Sequence, residues 1–310
     1  MPPTDPEVVR MALEGLLAPR KTLPPSLFYD EEGCRLFYRI TDLPEYYLTR
    51  TERGLLADIG PVVAAEVGPG AVLVEYGASH EEKAGFLLGY PAAFDRYIPI
   101  DVAAPELVRL SERMAQSHPV IAVQPVVADF MRPVALPTLP RGTPVLGFFP
   151  GSTIGNLEPA AATAFLLRAR ESLGPGARFL LGADLRKSPL VLIPAYDDAA
   201  GVTAAFNRNL LVRLNREASA NFDPIAFRHE ARWNDRDSRI EMHLVSLRDQ
   251  TVTLAGTPIA FAEGETIHTE NSYKHTPARL LALAREAGWV PQRQWMDPAG
   301  RFGHFLLAQP

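Results

Sequence analysis

The alternation of apolar and polar positions splits the chain into two rhythms. From about residue 71 to residue 185, short apolar runs alternate with helical stretches, the pattern of strands buried on both faces of a parallel sheet. The first run, Val72-Leu73-Val74-Glu75-Tyr76, meets Gly77, and Ala78-Ser79-His80-Glu81-Glu82-Lys83 then opens a helix. Gly77 lets the backbone turn tightly and leaves room for a ligand against it. A second run, Tyr97-Ile98-Pro99-Ile100-Asp101, ends in a carboxylate, and a third, Val123-Gln124-Pro125-Val126-Val127-Ala128-Asp129-Phe130, ends in an acid and an aromatic. Ligands of open parallel sheets sit beyond the carboxyl ends of the strands, where an acid on the second strand can accept both hydroxyls of a ribose. Three strand ends therefore offer three contacts to a nucleotide-like cofactor. A fourth run over residues 144–149 leads into Pro150-Gly151-Ser152-Thr153-Ile154-Gly155-Asn156-Leu157. Its small residues allow close approach, and Asn156 can reach a substrate, cap the helix that residues 158–173 predict, or do both. Residues 178–184 supply a fifth strand.

Outside that stretch the pattern differs. Residues 7–19 carry apolar positions at helical spacing and break at Pro24-Pro25, and Thr51-Glu52 before Gly54-Leu55-Leu56 reads as another helix start. The segment between them is rich in aromatics. Phe28, Phe37 and Tyr47 read mainly as core, with one or two tyrosines as the wall of a pocket for a cationic group. Residues 190–219 read as helix, and residues 225–262 as alternating strands, with His243 on a strand face. A helix over 277–287 precedes two strands, 290–296 and 302–308, flanking Asp297-Pro298-Ala299-Gly300, which predicts a hairpin closing the sheet with an antiparallel edge. The expected fold is α/β: a Rossmann-like sheet domain over residues 61–185 and 277–310, plus a second, α+β lobe over residues 1–60 and 186–276 that holds the substrate.

Composition narrows the function classes. A chain of 310 residues with 47% hydrophobic content can bury a full α/β domain and a second lobe. Its 31 basic and 36 acidic residues form no long basic stripe, which argues against nucleic acid as partner. Cys34 stands alone, so neither an internal disulfide nor a cysteine-based metal cluster is available. The amino terminus lacks a secretory pattern and no apolar run is long enough to span a bilayer, so a cytoplasmic protein is expected, with no membrane partner. The seven histidines are scattered along the sequence with no dense ligand spacing, and no metal is expected. His80 reads as a solvated residue at a helix start. The oligomeric state stays open, a monomer included.

Four motifs carry a resemblance across nearly the whole chain. They are Phe28-Tyr29-Asp30, Leu43-Pro44-Glu45-Tyr46-Tyr47-Leu48-Thr49-Arg50-Thr51-Glu52, Phe149-Pro150-Gly151-Ser152-Thr153-Ile154-Gly155-Asn156 and Thr269-Glu270-Asn271-Ser272. In these the chain resembles the histidine-specific methyltransferases that use S-adenosylmethionine, the L-histidine Nα-methyltransferases of ergothioneine biosynthesis. A closing antiparallel hairpin suits such a methyltransferase sheet. The resemblance implies that Gly77, Lys83, Asp101, Asp129 and Phe130 line the S-adenosylmethionine site, with Asp101 on the ribose, Asp129 and Phe130 at the adenine, and Tyr29 at the amino-acid tail. It further implies that Asn156 and Tyr196 hold the carboxylate of L-histidine, that Tyr46 lies by the reacting amine, and that Glu270 and Ser272 grip the imidazole. Phe37 and Met242 would be apolar walls. The family usually carries a second glycine two residues after the first, and here that position is Ser79.

Three other functions compete with this reading. A relative acting on a different amino acid would keep the cofactor site and change the imidazole grip. A nicotinamide dehydrogenase calls for Gly-x-Gly-x-x-Gly, and Gly77-Ala78-Ser79-His80-Glu81-Glu82 lacks the second and third glycines. A binding-only homologue is conceivable because of Ser79, and the presence of all the substrate-side residues weighs against it.

Overall fold

The computed structural model describes residues 4–78, 80–90 and 92–310. Its contacts divide the chain into two compact units, Met1–Tyr47 with Lys187–Tyr273, and Leu48–Arg186 with Lys274–Pro310. The second, the sheet unit, includes residues 48–60, because the long helix α3 (Tyr47–Val67) runs through them and packs Leu56, Ile59 and Val63 on the sheet. That helix starts earlier than the Thr51 expected from sequence.

The sheet unit holds β1 (Ala71–Tyr76), β2 (Phe94–Asp101), β3 (Ala122–Val123), β4 (Val126–Val127), β5 (Val145–Phe149), β6 (Arg178–Asp184), β12 (Val290–Met296) and β13 (Phe302–Ala308). They lie in the order β12-β13-β6-β5-β1-β2-β3, with β4 also on β2. Strands β1 to β6 pair in parallel, and β13 runs antiparallel to β6 and to β12, which is the closing hairpin expected. Every residue of β1 and β5 is buried, as a sheet covered on both faces requires. Period-two alternation sends Val72 and Val74 to one face, against α6 (Pro159–Leu173) and α9 (Pro277–Glu286). Leu73 goes to the other, against α3, α4 (Glu82–Leu88) and α5 (Ala104–Ser117). Truncating a fully buried leucine such as Leu73 to alanine would cost about 2–5 kcal/mol. The expected third strand is split in two at Gln124-Pro125, since proline has no N–H to give to the ladder.

The other unit contains α1 (Pro6–Leu16), α2 (Glu31–Thr41), α7 (Pro189–Tyr196), α8 (Val202–Glu217), β7 (Phe227–Asn234), β8 (Arg239–Ser246), the β9 (Gln250–Leu254) and β10 (Thr257–Phe261) hairpin, and β11 (Thr266–Tyr273). The single helix expected over 190–219 is two. Gly201, at φ 72°, breaks it, and the Asp198 carboxylate accepts from the N–H groups of Val202 and Thr203 to start α8. Strands β11, β8 and β7 form an antiparallel sheet in that order. Among the described residues, no helix is long and apolar enough to cross a membrane.

Candidate active site

In the sheet unit, the carboxyl ends of β1, β2, β4 and β5 bring the expected cofactor residues to one edge. Gly77 follows β1 at φ +77°, a left-handed backbone that a side chain would strain. A Cβ built there would meet only the Phe130 ring, at 3.5 Å, so the backbone of Gly77 is open to a ligand bordered by that ring. Phe130 is held edge-on by Phe149 and Phe165, with centroids at 5.5 and 5.6 Å. Asp101 ends β2, and its Oδ1 accepts from the Ala103 N–H at 2.8 Å. Burial pushes its carboxyl above the usual range, against two backbone N–H bonds that lower it. Asp129 is exposed and accepts from the Met131 N–H. Two acids, an aromatic face and an open glycine fit an adenosine: one acid for the ribose diol, and a ring with the second acid for the base. Ser79 lies outside the described residues.

Lys83, on α4, is tied to Glu52 of α3 at 2.7 Å, and Glu52 is only 1% exposed. The same carboxylate accepts from the Gly151 N–H at 2.8 and 3.0 Å. One buried acid thus fixes the expected cofactor lysine and the loop after β5. In that loop Gly151 and Ser152 both take positive φ, and the Ser152 Oγ accepts from the Asp184 N–H. Asn156 ends a short 3-10 turn (Thr153–Asn156). It does not cap α6, whose N-cap is Glu158. Nearby, Glu75 is buried, and burial drives its carboxyl up to about 8 despite the hydrogen bond it accepts from Tyr97.

In the other unit, one face of the three-stranded sheet gathers the expected substrate residues. Antiparallel partners share a face, and Glu270 and Ser272 of β11 pair with Met242 and Ile240 of β8. Tyr196, at the end of α7, shares a hydrogen bond between its OH and Ser272 Oγ at 2.9 Å. The Tyr46 ring meets Tyr196 edge-on at 6.3 Å. All six side chains are nearly buried. Phe37 belongs to a second aromatic group with Tyr29 at 6.0 Å and Phe206 at 6.2 Å. Desolvation raises the Tyr29 phenol well above its usual value, and Glu270, Tyr46 and Tyr196 push the same way. Tyr29 is nonetheless 46% open to solvent.

Several contributors were invisible in sequence. Phe206 stacks on Phe28 at 4.4 Å and backs Tyr29 from a helix almost 180 residues away. His229 Nε2 donates to the Tyr196 carbonyl at 2.8 Å, which leaves Nδ1 to accept from Asn207 Nδ2 at 2.9 Å. Burial lowers the His229 pKa, so this neutral tautomer holds Tyr196 in place. On the opposite face of the sheet, Glu241, His243 and His268 come together, with their ligand-type atoms within 4.8 Å of one another. The sequence reading of histidines without a cluster is corrected here, because β8 and β11 pair His243 with His268 directly. His243 does lie on a strand face, as expected, and His80 is partly exposed beside α4.

Residues 8–309 match the family described as "Histidine-specific methyltransferase, SAM-dependent". The histidine N-alpha-methyltransferase of Mycolicibacterium smegmatis is 44% identical over 300 residues, covering 95% of this chain and 92% of that protein. Its namesake in Mycobacterium tuberculosis is 40% identical over 305 residues, covering 97% and 94%. Among solved structures, an S-adenosylmethionine-dependent methyltransferase from Clostridium acetobutylicum superposes with a TM-score of 0.52 at 9% identity, over 89% of this chain and 98% of that one, a likeness of fold alone. With matches that take in all but the ends of the sequence, the chain belongs to the histidine-specific, S-adenosylmethionine-dependent methyltransferase family.

Proposed function

We propose that the protein trimethylates the α-amino group of L-histidine with S-adenosylmethionine, giving hercynine as the first step of ergothioneine biosynthesis. The observation that carries this reading is one sheet face on which Glu270, Ser272 and Met242 sit with Tyr196 and Tyr46, nearly all solvent excluded. When bound, S-adenosylmethionine supplies a methyl group already activated by its sulfonium sulfur. The chain's own work is then to orient the amine, exclude water and place charge, and that work calls for no metal.

Gly77, Asp101, Asp129 and Phe130 are assigned to the nucleoside, and Lys83 and Tyr29 to the methionine end. Asn156 and Tyr196 hold the histidine carboxylate. The Glu270 carboxylate accepts an imidazole N–H, with Ser272 on the ring's other side, so a side chain that cannot pair with Glu270 leaves a buried charge stranded and is rejected. Phe37 and Met242 close the apolar walls. The Tyr46 hydroxyl hydrogen-bonds the amine. The starting ammonium sheds a proton before each of three transfers, three in all, and the product keeps one fixed positive charge. The Tyr46 and Tyr196 ring faces suit that cation without needing an N–H to donate. The sheet unit thus supplies most of the cofactor contacts and the other unit most of the amino-acid contacts, in a cytoplasmic enzyme acting on a free small molecule.

The test is incubation of the purified protein with S-adenosylmethionine and, separately, histidine, tryptophan, tyrosine and arginine, with products read by mass spectrometry. Histidine gaining three methyl groups is expected. Methylation of another amino acid in its place would remove the assignment of Glu270 and Ser272 while leaving the cofactor site standing.

A further inference from the structure

We infer that Glu241, His243 and His268 form a binding site for a borderline divalent cation of the zinc, cobalt or nickel type, separate from the methyl-transfer residues. The three stand on the sheet face opposite Glu270 and Met242: His243 and His268 are cross-strand partners, and Glu241 is two residues along β8 from His243. Two imidazoles and a carboxylate are the donor set such cations select, with a fourth position left for water. His243 Nε2 donates to Glu241 Oε2 at 3.2 Å, and an ion taking the place of that proton would find the two atoms close to the separation of about 3.3 Å that two ligands at 2.0–2.1 Å adopt in a tetrahedron. The two imidazole rings stack at 4.7 Å with planes 21° apart.

Two of the three donors are also oriented from behind. His268 Nε2 donates to the Glu270 carbonyl at 3.1 Å, which fixes the tautomer and leaves Nδ1 with a lone pair. The far oxygen of Glu241, Oε1, is held by Arg239 and Asn234, at 2.7 and 2.8 Å. A backbone carbonyl behind an imidazole and donors behind a carboxylate are the outer-shell arrangement of metal sites. His243 is only 6% exposed, with Nε2 as the ring nitrogen that faces Glu241. The cluster opens on a cavity of about 560 Å³ that also borders Lys21 and Thr266, giving a cation and its water a way in. Because His268 bonds the carbonyl of Glu270 itself, an ion here would stiffen the strand segment that carries the imidazole grip.

The experiment uses the tag-free full chain, stripped with a chelator, and Co2+ as the probe. Free histidine chelates the same metals, so binding is read without it. One Co2+ per chain with the intense visible absorption of four-coordinate cobalt, displaced by Zn2+, is expected. His268→Gln and Glu241→Gln should each weaken Co2+ by about 100-fold or lose it. Wild type with no stoichiometric Co2+, or the two variants binding it as wild type does, would overturn the site. Should a variant lose its fold by circular dichroism, the wild type still decides: Zn2+ must raise its melting temperature, and a melting temperature unmoved by Zn2+ overturns the site.

Discussion

The two faces of the small β11-β8-β7 sheet are built from the same strands and differ in almost every chemical respect. One face carries Ile240, Met242, Glu270 and Ser272 under helices α7 and α8. The other carries Arg239, Glu241, His243 and His268, a lattice of ion pairs and stacked rings. A single irregularity separates them. Strict alternation would put His268, Glu270 and Ser272 on one face, but the register of β11 shifts between His268 and Glu270, where Thr269 is the extra residue and its Oγ1 donates to the Met242 carbonyl. A bulge of one residue sends Glu270 and Ser272 to the opposite side from His268.

The largest expected effect comes from removing that bulge. Deleting Thr269 keeps His268 opposite His243 and Glu270 opposite Met242 but removes the Oγ1 bond and the local bend that aim the Glu270 carboxylate, so histidine methylation should fall by about 100-fold while calorimetry still finds S-adenosylmethionine bound. Next in size is a cut outside the small sheet. Glu52→Gln loosens both Lys83 and the Gly151 loop, and should weaken S-adenosylmethionine by about 30-fold, since a buried charged pair loses a partner, without changing the preference for histidine over other amino acids. A subtler change on the substrate face is His229→Ala, which frees the Tyr196 carbonyl. KM for histidine should rise by about 10-fold in initial-rate measurements, the scale of one lost hydrogen bond, with cofactor affinity unaffected.

The smallest effect on activity belongs to the polar face, where the change is read as stability against pH. Burial, and then His268, lower His243 to about 4, below its unfolded value near 6.5. Between those values the unfolded chain binds the extra proton, so stability rises with pH across that window and is lost as pH falls through it, at no more than about 1.4 kcal/mol per pH unit. His243→Gln should flatten that slope in denaturant titrations run with a chelator present. Glu75 works the other way. Its carboxyl, raised to about 8, keeps its proton in the fold, so stability declines as pH climbs from about 4.5 to 8. Glu75→Gln should remove that decline.

The sheet unit was largely legible in the sequence because its site is made by backbone and by residues at strand ends. Gly77, Asp101 and Phe130 each follow an apolar run within a residue or a few, and local pattern finds such places. Its miss was local as well: Pro125 splits a strand. The small sheet was different. Tyr46, Tyr196 and Ser272 come from three distant parts of the chain, and only the resemblance pointed to them. The pairing of His243 with His268 spans 25 residues, and the bulge at Thr269 leaves no mark in composition or periodicity. Phe206 and His229 were missed for the same reason, since nothing local to either says which tyrosine it supports.

The most direct test of the central claim compares two carboxylates on opposite faces of one sheet, Glu270 and Glu230, the cross-strand neighbour of His243. The measurement is kcat/KM for histidine in Glu270→Gln and in Glu230→Gln under identical cofactor saturation. Glu270→Gln should lose about 100-fold or more, because the imidazole N–H loses its charged acceptor, and Glu230→Gln should stay within about twofold of wild type. A Glu270→Gln enzyme that methylates histidine as wild type does, or a Glu230→Gln enzyme equally impaired, would contradict the assignment of the imidazole grip to the Met242 face.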